Sequence, residues 1–468
     1  MRVARSVILR PSPGQHFVCS KRLTLIGLLG RKLASTSAGV ITSDGIPRKG
    51  RVASIDTEAK CYDVAIIGGG IVGMATARQL KLNHPKLEIG VLEKECDIAD
   101  HQSGNNSGVI HAGMNYMPGS LKAQLCVRGH RLMLDYCKKK GIPHKICGKL
   151  IVATASNQIQ TLEHLLAKGE KNGVKDLQIV DSKGIEEIEP NARGVKAIWS
   201  PHTGIVSFRE VTKSYARDFT SLGGHMHYGF RVVAVRSSGN ANNDLVVKSG
   251  TYEEVHCKRL ISCGGLYSDK LAEMTGGSSL PKVVPFRGEY LILKETSSDL
   301  ISTNIYPVPD PSLPFLGVHF TPRIDGRAII GPNAVLAFAR EGYKCTDINI
   351  VELVESLSYP GLQKMVAKYF MAGVQELYKG FILSAQVEEL RKYVPKLQMS
   401  DIERGPAGVR AQALDLDGNF VDDFVFDTGK GDFSGRALHV RNAPSPAATS
   451  SLAIAEVIAE KVKELFKL

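Results

Sequence analysis

The sequence predicts an α/β (α+β) protein of two domains, in which a Rossmann-like parallel sheet is interrupted by an inserted domain of β-strands and helices. At 468 residues the chain exceeds one ordinary hydrophobic core. Its 43% hydrophobic and 23% charged residues are typical of a globular protein. Near the start, strand-like and helix-like segments alternate, whereas strands dominate the middle of the chain. We therefore expect a parallel sheet first and a mixed insertion after it.

A glycine pattern between two apolar runs carries the parallel-sheet prediction. Residues 62–67 form the first run, and the pattern G-x-G-x-x-G follows at residues 68–73. Helix-like sequence comes next, and a second apolar run, residues 87–92, closes on Glu93. A strand, a tight turn, a helix, a strand and an acid in this order indicate a dinucleotide-binding unit.

Each residue of this unit has a distinct predicted role. Gly68 permits the tight turn, Gly70 lets the backbone approach a pyrophosphate, and Gly73 lets helix and strand pack closely. The pyrophosphate would lie at the helix N-terminus, where free N–H groups favour negative charge. Glu93 would accept hydrogen bonds from an adenosine ribose. The alternative is a glycine-rich turn in an unrelated α/β protein.

Positive charge is concentrated at the N-terminus. The formal net charge is +12, but residues 1–51 hold ten Lys or Arg and one acid, Asp44. This segment therefore carries +9 and leaves +3 for the rest, which argues against a nucleic-acid-binding face. A leader rich in Arg, Ser and Leu is typical of a mitochondrial transit peptide. A disordered basic tail and a secretory signal are the alternatives.

We expect residues 1–58 to be a transit peptide and linker, cleaved between residues 32 and 58. The sequence contains no apolar run of about 18 or more residues, which predicts no membrane-spanning helix. Peripheral membrane attachment stays open. The nine cysteines form no C-x-x-C pair, so we expect buried thiols and neither a metal nor a disulfide framework.

The remaining segments separate the two domains. Helical spacing predicts helices over residues 121–140, 158–172, 206–222 and 446–466, and over much of 347–398. Apolar runs predict strands over residues 149–155, 231–236, 245–248 and 259–262, and several more within 283–332. Prolines at positions 307, 309, 311 and 314 indicate a stiff loop. We expect the first domain to comprise residues 59–145, 205–282 and 404–468, and the inserted domain residues 146–204 and 283–403.

Several longer motifs extend the interpretation to the whole chain after residue 62. They are residues 101–113, 284–290, 304–310, 316–323, 405–412 and 441–449. Through them the chain resembles the glycine/D-amino-acid oxidase-like flavoproteins, whose FAD-binding domain is of the glutathione-reductase type. The resemblance implies FAD as cofactor and makes the inserted domain the substrate-binding one. Nicotinamide enzymes rarely need a third dinucleotide-contacting segment near the C-terminus, which independently favours FAD.

Within this family, the chain is similar to mitochondrial 2-hydroxy-acid dehydrogenases. That likeness implies oxidation of L-2-hydroxyglutarate, a small dicarboxylate, to 2-oxoglutarate by hydride transfer from C2 to flavin N5. It also implies a quinone pool or an electron-transfer flavoprotein as acceptor, on the matrix side of the mitochondrion. An amino-acid oxidase, a demethylating dehydrogenase and a flavoprotein assembly factor without turnover are the alternatives.

The resemblance also places cofactor-binding residues beyond the first glycine turn. The glycine turn after strand 259–262 resembles the second FAD-contacting turn of the family. The loop before the last helix would stabilise negative charge at the pyrimidine end of the flavin. The residues so assigned are Ser107, Val233, Gly264, Gly265, Gly408, Asn442, Pro446 and Thr449.

Oxidation of a 2-hydroxy acid requires a base for the hydroxyl proton and a cation for the carboxylate. Related oxidases place an arginine against the substrate carboxylate at the position of Arg410, whose fork matches a carboxylate bidentately. We expect His319 to be the base, because histidine titrates near the working pH. His111 is the competing candidate, as base, hydrogen-bond donor or covalent flavin ligand.

The distal carboxylate of a diacid needs a second clamp, for which Arg287 and Tyr306 are candidates. Strand alternation over residues 317–323 places His319, Thr321 and Arg323 on one face, as a substrate wall would require. The alternatives are structural: a salt bridge at Arg410, a packed core histidine, a surface arginine at Arg287 and a packing aromatic at Tyr306.

Overall fold

The computed structural model describes residues 61–239, 244–310, 317, 319–369 and 383–468. The predicted transit peptide and linker, residues 1–58, lie outside the described residues. So do Pro311 and Pro314 of the predicted proline loop and residues 370–382 of the predicted helical region. Within the described ranges, strands form two large sheets and a small third one, with helices packed on them. This confirms the predicted α/β (α+β) class.

The strands are numbered along the chain. They are β1 (Cys61–Ile67), β2 (Ile89–Leu92), β3 (Val109–Ile110), β4 (His144–Ile146), β5 (Lys149–Ala153), β6 (Gln178–Asp181), β7 (Lys196–Ser200), β8 (Gly204–Val206), β9 (His225–His227), β10 (Val232–Ser237), β11 (Leu245–Ser249), β12 (Glu254–Ser262), β13 (Lys282–Leu293), β14 (Asn304–Pro307), β15 (His319–Pro322), β16 (Ala328–Gly331), β17 (Val335–Leu336), β18 (Ile402–Leu414), β19 (Val425–Thr428) and β20 (Ala437–Asn442).

The α-helices of the described residues are numbered in the same way. They are α1 (Ile71–Asn83), α2 (Leu121–Lys140), α3 (Ile159–Lys171), α4 (Ser182–Ile188), α5 (Phe208–Ser221), α6 (Ser268–Glu273), α7 (Ile350–Leu357), α8 (Pro360–Lys368), α9 (Leu383–Arg391) and α10 (Ala447–Phe466). None of them is long and apolar enough to cross a membrane.

The first sheet contains the predicted dinucleotide-binding unit. Its strands lie in the order β10–β11–β12–β1–β2–β9, with β20 beside β12 and β19 beside β20. β1 pairs in parallel with both β2 and β12, and α1 connects β1 to β2. Helix α1 packs against α5 and α10, and α10 packs against α2, burying one continuous apolar core. The carboxyl ends of β1, β2 and β12 therefore meet at one edge, where ligands bind in open α/β sheets.

The second sheet is mixed and lies in the order β17–β13–β16–β15–β14–β5–β7–β6, with β18 along β13. One of its faces buries apolar side chains against α9 and its neighbours, including Leu150, Ile305 and Phe320. Side chains alternate along each strand, so Lys149, Tyr306 and His319 lie on the opposite face.

Most predicted elements are present with small shifts at their ends. Helix α2 has the predicted bounds, since Ser120 caps its first turn and Gly141, at φ 64°, ends it. The predicted strand 149–155 ends at Ala153, and the final helix begins one residue later than predicted because Pro446 is its N-cap residue.

One long strand crosses the predicted division between the domains. β18 pairs with β13 from Ile402 to Leu414, so it belongs to the second sheet, although the prediction assigns residues 404–468 to the first domain. Its glycines and half-exposed positions interrupt the apolar alternation that would identify a strand in the sequence.

Candidate active site

A cavity of about 950 Å³ extends from the glycine turn of the first sheet to the second sheet. Most of the residues assigned to the site by sequence line it. They are Gly68, Gly70, Glu93, Ser107, His111, Val233, Gly264, Gly265, Tyr306, His319, Gly408, Arg410, Asn442, Pro446 and Thr449. Gly73, Arg287 and Arg323 are not among its lining residues.

The three glycines of the first turn have different local requirements. Gly68 adopts φ +108°, a conformation that favours glycine, and a Cβ there would overlap the Cys263 carbonyl oxygen. At Gly73 a Cβ would overlap the Gly68 carbonyl oxygen, so this glycine permits close packing beneath the turn. At Gly70 a Cβ would meet only the Ser103 hydroxyl, at 3.3 Å. The space beside Gly70 is therefore open to a ligand at the N-terminus of α1.

Glu93 is held at the end of β2 by the backbone. The Gly69 N–H donates to one carboxylate oxygen at 2.7 Å, and the Glu95 N–H donates to the other at 2.9 Å. Burial raises the pKa of Glu93, and these two N–H groups oppose the rise. A carboxylate has about four acceptor positions, so two hydrogen bonds leave capacity for ribose hydroxyls.

The loop before α10 closes the cavity on the side of the short third sheet. Thr449 Oγ1 accepts from the His111 N–H at 3.1 Å and donates to the Val109 carbonyl at 3.2 Å. Asn442 Nδ2 donates to the carbonyls of Val421 (2.7 Å) and Asp423 (2.9 Å). These bonds fix the N-terminus of α10 against the cavity, where its N–H groups favour negative charge.

Close backbone approach explains the glycine at position 408. A Cβ on Gly408 would meet the Asn105 carbonyl oxygen at 2.7 Å, which would displace the loop from β18. Gly408 is paired with Gly288 on β13, and Arg410 with Phe286. Because side chains alternate, Arg410 projects from the same face of β18 as Gly408 and reaches the cavity.

His319 lies on the cavity face of the second sheet. The hydrogen bond at 3.2 Å between its Nδ1 and the Gly317 carbonyl requires Nδ1 to carry the proton, which leaves Nε2 as an acceptor. Its ring stacks on Tyr306 with 4.2 Å between centroids. Burial, with the nearby charges of Arg410 and Lys149, lowers the pKa of His319 to about 4, although the bond to Gly317 opposes this. His319 is therefore neutral at neutral pH and does not titrate near it as expected.

His111 faces the same cavity from the loop after β3. Its backbone is fixed to Thr449. Burial and, secondarily, the charges of Lys149, His319 and His130 lower the pKa of His111 to about 3. Both histidines are thus neutral bases, and the pKa direction does not distinguish them.

The structure does not bring Arg287 or Arg323 to the cavity wall. Arg287 alternates with Gly288, which lines the cavity, and its Nη2 contacts Cys345 Sγ at 2.9 Å and Glu289 at 3.4 Å. Arg323 directly follows the last residue of β15, Pro322, and a turn over residues 324–326 comes next. The Arg323 Nε lies 3.3 Å from Asp325. Neither arginine is among the cavity-lining residues, and the distal-carboxylate role of both stays a prediction.

Two residues on the same face of the second sheet as His319 were missed by sequence reasoning. Tyr290 lines the cavity from β13, and burial raises its pKa, although Arg410 and Arg323 oppose the rise. Lys149, at the start of β5, is 2% exposed, and its ammonium lies 4.9 Å from the centre of the Tyr306 ring. Tyr290 ends the motif 284–290 but is given no role there, and no motif marks Lys149. The register of the second sheet brings both residues to this face.

The residues at the first-sheet end of the cavity fit FAD. Open space beside Gly70, a helix N-terminus and an anchored Glu93 suit a pyrophosphate and a ribose. The N-terminus of α10 lies on the same cavity, where it can stabilise negative charge on a flavin.

Known proteins are similar to this chain in sequence. The family described as FAD dependent oxidoreductase matches residues 63–461. Mitochondrial L-2-hydroxyglutarate dehydrogenase of Nematostella vectensis is 54% identical over 417 residues, covering 87% of this chain and 91% of that protein. The Homo sapiens protein of that name is 49% identical over 456 residues, covering 95% and 98%.

Solved structures agree at the level of the fold. L-α-glycerophosphate oxidase from Mycoplasma pneumoniae, with FAD bound, has a TM-score of 0.70 at 22% identity and covers 87% of this chain and 95% of that one. Glycine oxidase from Geobacillus kaustophilus has a TM-score of 0.64 at 17% identity, covering 86% and 95%. The chain therefore belongs to the FAD dependent oxidoreductase family, among the relatives of L-2-hydroxyglutarate dehydrogenase, and is an FAD-dependent dehydrogenase.

Proposed function

We propose that this enzyme oxidises L-2-hydroxyglutarate to 2-oxoglutarate. The observation that supports this most directly is the pairing of a neutral base, His319, with a guanidinium, Arg410, on one cavity face of the second sheet. A 2-hydroxy acid needs both groups. The names of relatives at about half identity supply the particular acid.

In this mechanism Arg410 binds the C1 carboxylate and orients C2. His319 Nε2 accepts the hydroxyl proton as the C2–H bond breaks. FAD, when bound, supplies the acceptor for the hydride at N5. The buried Tyr306 and the half-buried Tyr290 exclude water around the base. The carbonyl of 2-oxoglutarate forms as C2 loses hydride and its hydroxyl loses the proton.

His111 is the alternative base, because it lines the same cavity and is also neutral. Under our assignment it remains a neutral side chain that neither takes the hydroxyl proton nor tethers the cofactor. We therefore propose non-covalent FAD, to be released into the supernatant on acid precipitation. Flavin retained in the protein pellet would assign His111 to covalent attachment instead.

We further propose a mitochondrial location, with a quinone pool or an electron-transfer flavoprotein as electron acceptor. The basic leader over residues 1–58 and the names of the relatives support the location. Helix α7 supports a peripheral membrane contact, which we propose to be with the matrix side of the inner membrane. Its Ile350, Val351, Val354 and Leu357 are all exposed, a row of apolar side chains that water disfavours.

Anaerobic reduction of the purified holoenzyme tests the proposal. L-2-hydroxyglutarate should bleach the visible flavin absorbance, whereas D-2-hydroxyglutarate, sarcosine and proline should not. Bleaching by an amine would make the protein an amino-acid oxidase or a demethylating dehydrogenase. Bound FAD that no small acid reduces would indicate an assembly factor without turnover.

A further inference from the structure

Lys149 is a buried cation without an anionic partner among the described residues. It begins β5, is 2% exposed, and within the described part of the chain its ammonium forms neither a hydrogen bond nor an ion pair. Burying an unpaired ammonium is costly, so such a residue is normally paired. None of the described side chains supplies an anion for this ammonium, so a bound anionic ligand could be its partner.

The register of the second sheet places this cation beside the candidate base. Lys149 is paired with Asn304 on β14, and Ile305 with Phe320 on β15, so Lys149 and His319 share a face two strands apart. That spacing is roughly 10 Å between backbones. Between them stands Tyr306, whose ring lies 4.9 Å from the ammonium and stacks on His319.

Two cations therefore flank His319 from opposite directions across the sheet. Arg410 approaches from β18, on the β13 side, and Lys149 from β5, on the far side of β14. Both are near enough to act on the charge state of His319. A ligand held between them with its reacting carbon at His319 would carry one anionic group at each end.

We propose that Lys149 is the second cation of the substrate site and binds the distal carboxylate of a dicarboxylic 2-hydroxy acid. This inference rests on the proposed function. It adds an explanation of why the enzyme would prefer a dicarboxylic substrate to a monocarboxylic one. Arg287 and Arg323 do not line the cavity. Lys149 is not part of the cavity wall either, but Tyr306 is, and a flexible four-carbon stem allows the ammonium to reach past its ring.

The ionisation of the neighbours makes the proposal testable by pH. Burial lowers the pKa of Lys149 to about 8. Around it, burial lowers the pKa values of His111 and His319 to about 3 and 4. Burial raises that of Cys126 to about 12, and that of Tyr306 well above its usual value. Among these groups only Lys149 changes charge between about pH 7 and 9.5, and it is charged at the lower end.

The experiment compares L-2-hydroxyglutarate with L-2-hydroxyvalerate, which has the same chain length and a methyl group in place of the distal carboxylate. Lys149→Met should lower kcat/KM for the diacid about a hundredfold or more, since a buried carboxylate loses its charge-assisted partner. For the monoacid, kcat/KM should change by less than about threefold. Lys149→Arg should retain the preference for the diacid. The matched control is Lys196→Met on β7, a lysine 33% exposed and paired with Glu163, which should alter neither value.

The outcomes separate the inference from the function on which it rests. Equal losses for both acids in Lys149→Met would indicate a purely structural lysine and overturn the inference alone. Failure of the wild-type enzyme to be reduced by L-2-hydroxyglutarate would overturn the proposed function and the inference with it. If Lys149→Met yields no folded flavoprotein, the test is the pH dependence of the wild-type enzyme, measured as kcat/KM for L-2-hydroxyglutarate divided by kcat/KM for L-2-hydroxyvalerate. This ratio should fall as pH rises through about 8, because Lys149 loses its charge there. A constant ratio up to about pH 9.5 would overturn the inference.

Discussion

The two sheets contribute to one cavity by different means. At the first sheet the ligand-facing surface is mainly backbone: a glycine turn, two helix N-termini and one anchored acid, Glu93. At the second sheet it consists of side chains, among them Arg410, His319 and Tyr306, each from a different strand. A binding site made of backbone groups can be recognised from residues that are close together in the sequence. A site made of side chains from several strands depends on how those strands are paired.

The two sheets also differ in function: the first sheet provides affinity for the cofactor, and the second provides the groups for catalysis. Backbone N–H groups and helix ends bind a pyrophosphate without changing protonation. Side chains on the second sheet must instead hold a proton acceptor and a cation at the reacting carbon. Substitutions at the first sheet should therefore change cofactor content, and those at the second sheet should change turnover with the cofactor retained.

The largest effect is expected from Gly70→Asp. The protein alone should tolerate the change, because a Cβ at position 70 meets only the Ser103 hydroxyl and Asp is a favourable N-cap residue for α1. A carboxylate at the pyrophosphate position should nevertheless abolish FAD binding. The flavin-to-protein absorbance ratio and far-UV circular dichroism measure content and fold, and full flavin content would remove the assignment.

Gly73→Ala is the matched control for that variant. Its Cβ would overlap the Gly68 carbonyl oxygen, so this substitution should disturb the turn itself. We expect it to lower both flavin content and thermal stability, whereas Gly70→Asp lowers flavin content alone. Equal thermal destabilisation of the two apoproteins would mean that Gly70, too, is structural.

The same contrast explains what the sequence could predict. The first turn, its helix and Glu93 lie within about thirty residues, and each has one physical reason to be what it is. The fold class followed from this unit and from the run of strands after it. Arg287 is predicted as a clamp, but it is not among the residues that line the cavity, whereas its neighbour Gly288 is. Pairing with β18, far along the chain, decides which of the two does so.

Lys149 could not be found from sequence for a related reason. A lysine at the start of an apolar strand is ordinarily solvated. Only the parallel pairing of β5 with β14 places it among buried residues beside Tyr306. The expected titration of His319 failed because burial is a tertiary property, and it lowers the pKa to about 4.

The next largest effect should distinguish the two histidines of the cavity. His319→Ala should lower kcat by about 10²–10⁴, the usual range for loss of a general base, with flavin content unchanged. His111→Ala should have a smaller effect. Stopped-flow spectroscopy measures the rate of flavin reduction in both variants. If His319→Ala is reduced at the wild-type rate and His111→Ala is reduced slowly, His111 is the base. Since the two pKa values are about 3 and about 4, kcat/KM should show no histidine limb between about pH 7 and 5.5.

A smaller effect should come from the arginine of the cavity wall. Arg410→Ala should cost about 3 kcal/mol in kcat/KM, because the substrate carboxylate loses a bidentate partner. Arg410→Lys keeps the charge but loses the fork, so it should raise KM. Steady-state kinetics with L-2-hydroxyglutarate measure both variants, and an unchanged kcat/KM in Arg410→Ala would place the C1 carboxylate elsewhere.

Arg287→Met is the matched control for the arginine variants. Arg287 is buried like a site residue but lies off the cavity wall, next to Gly288, which lines it. The substitution should therefore leave kcat/KM within about threefold of the wild-type value. A large rise in KM would return Arg287 to the substrate site, contrary to its contacts with Cys345 and Glu289.

The smallest effect concerns a buried histidine of the first sheet that has no part in the chemistry. His439 on β20 bonds with the hydroxyls of Ser262 (2.7 Å) and Thr275 (2.6 Å), and burial lowers its pKa to about 4. The unfolded chain takes up this proton near the ordinary value of about 6.5, so the stabilisation is present above that pH and is lost as pH falls toward about 4. By about pH 5 the free energy of unfolding should have fallen by about 2 kcal/mol through this residue.

His439→Gln should remove that part of the pH dependence, because glutamine can keep a hydrogen bond to the hydroxyls but takes up no proton in this range. Urea denaturation of the wild-type and variant holoenzymes at about pH 7 and pH 5 measures the difference. Equal pH dependence in the two proteins would show that His439 is protonated in the folded state at the lower pH. Burial in the first sheet would then lower histidine pKa values less than burial in the second, and the two sheets would differ in electrostatics as well as in how they bind ligands.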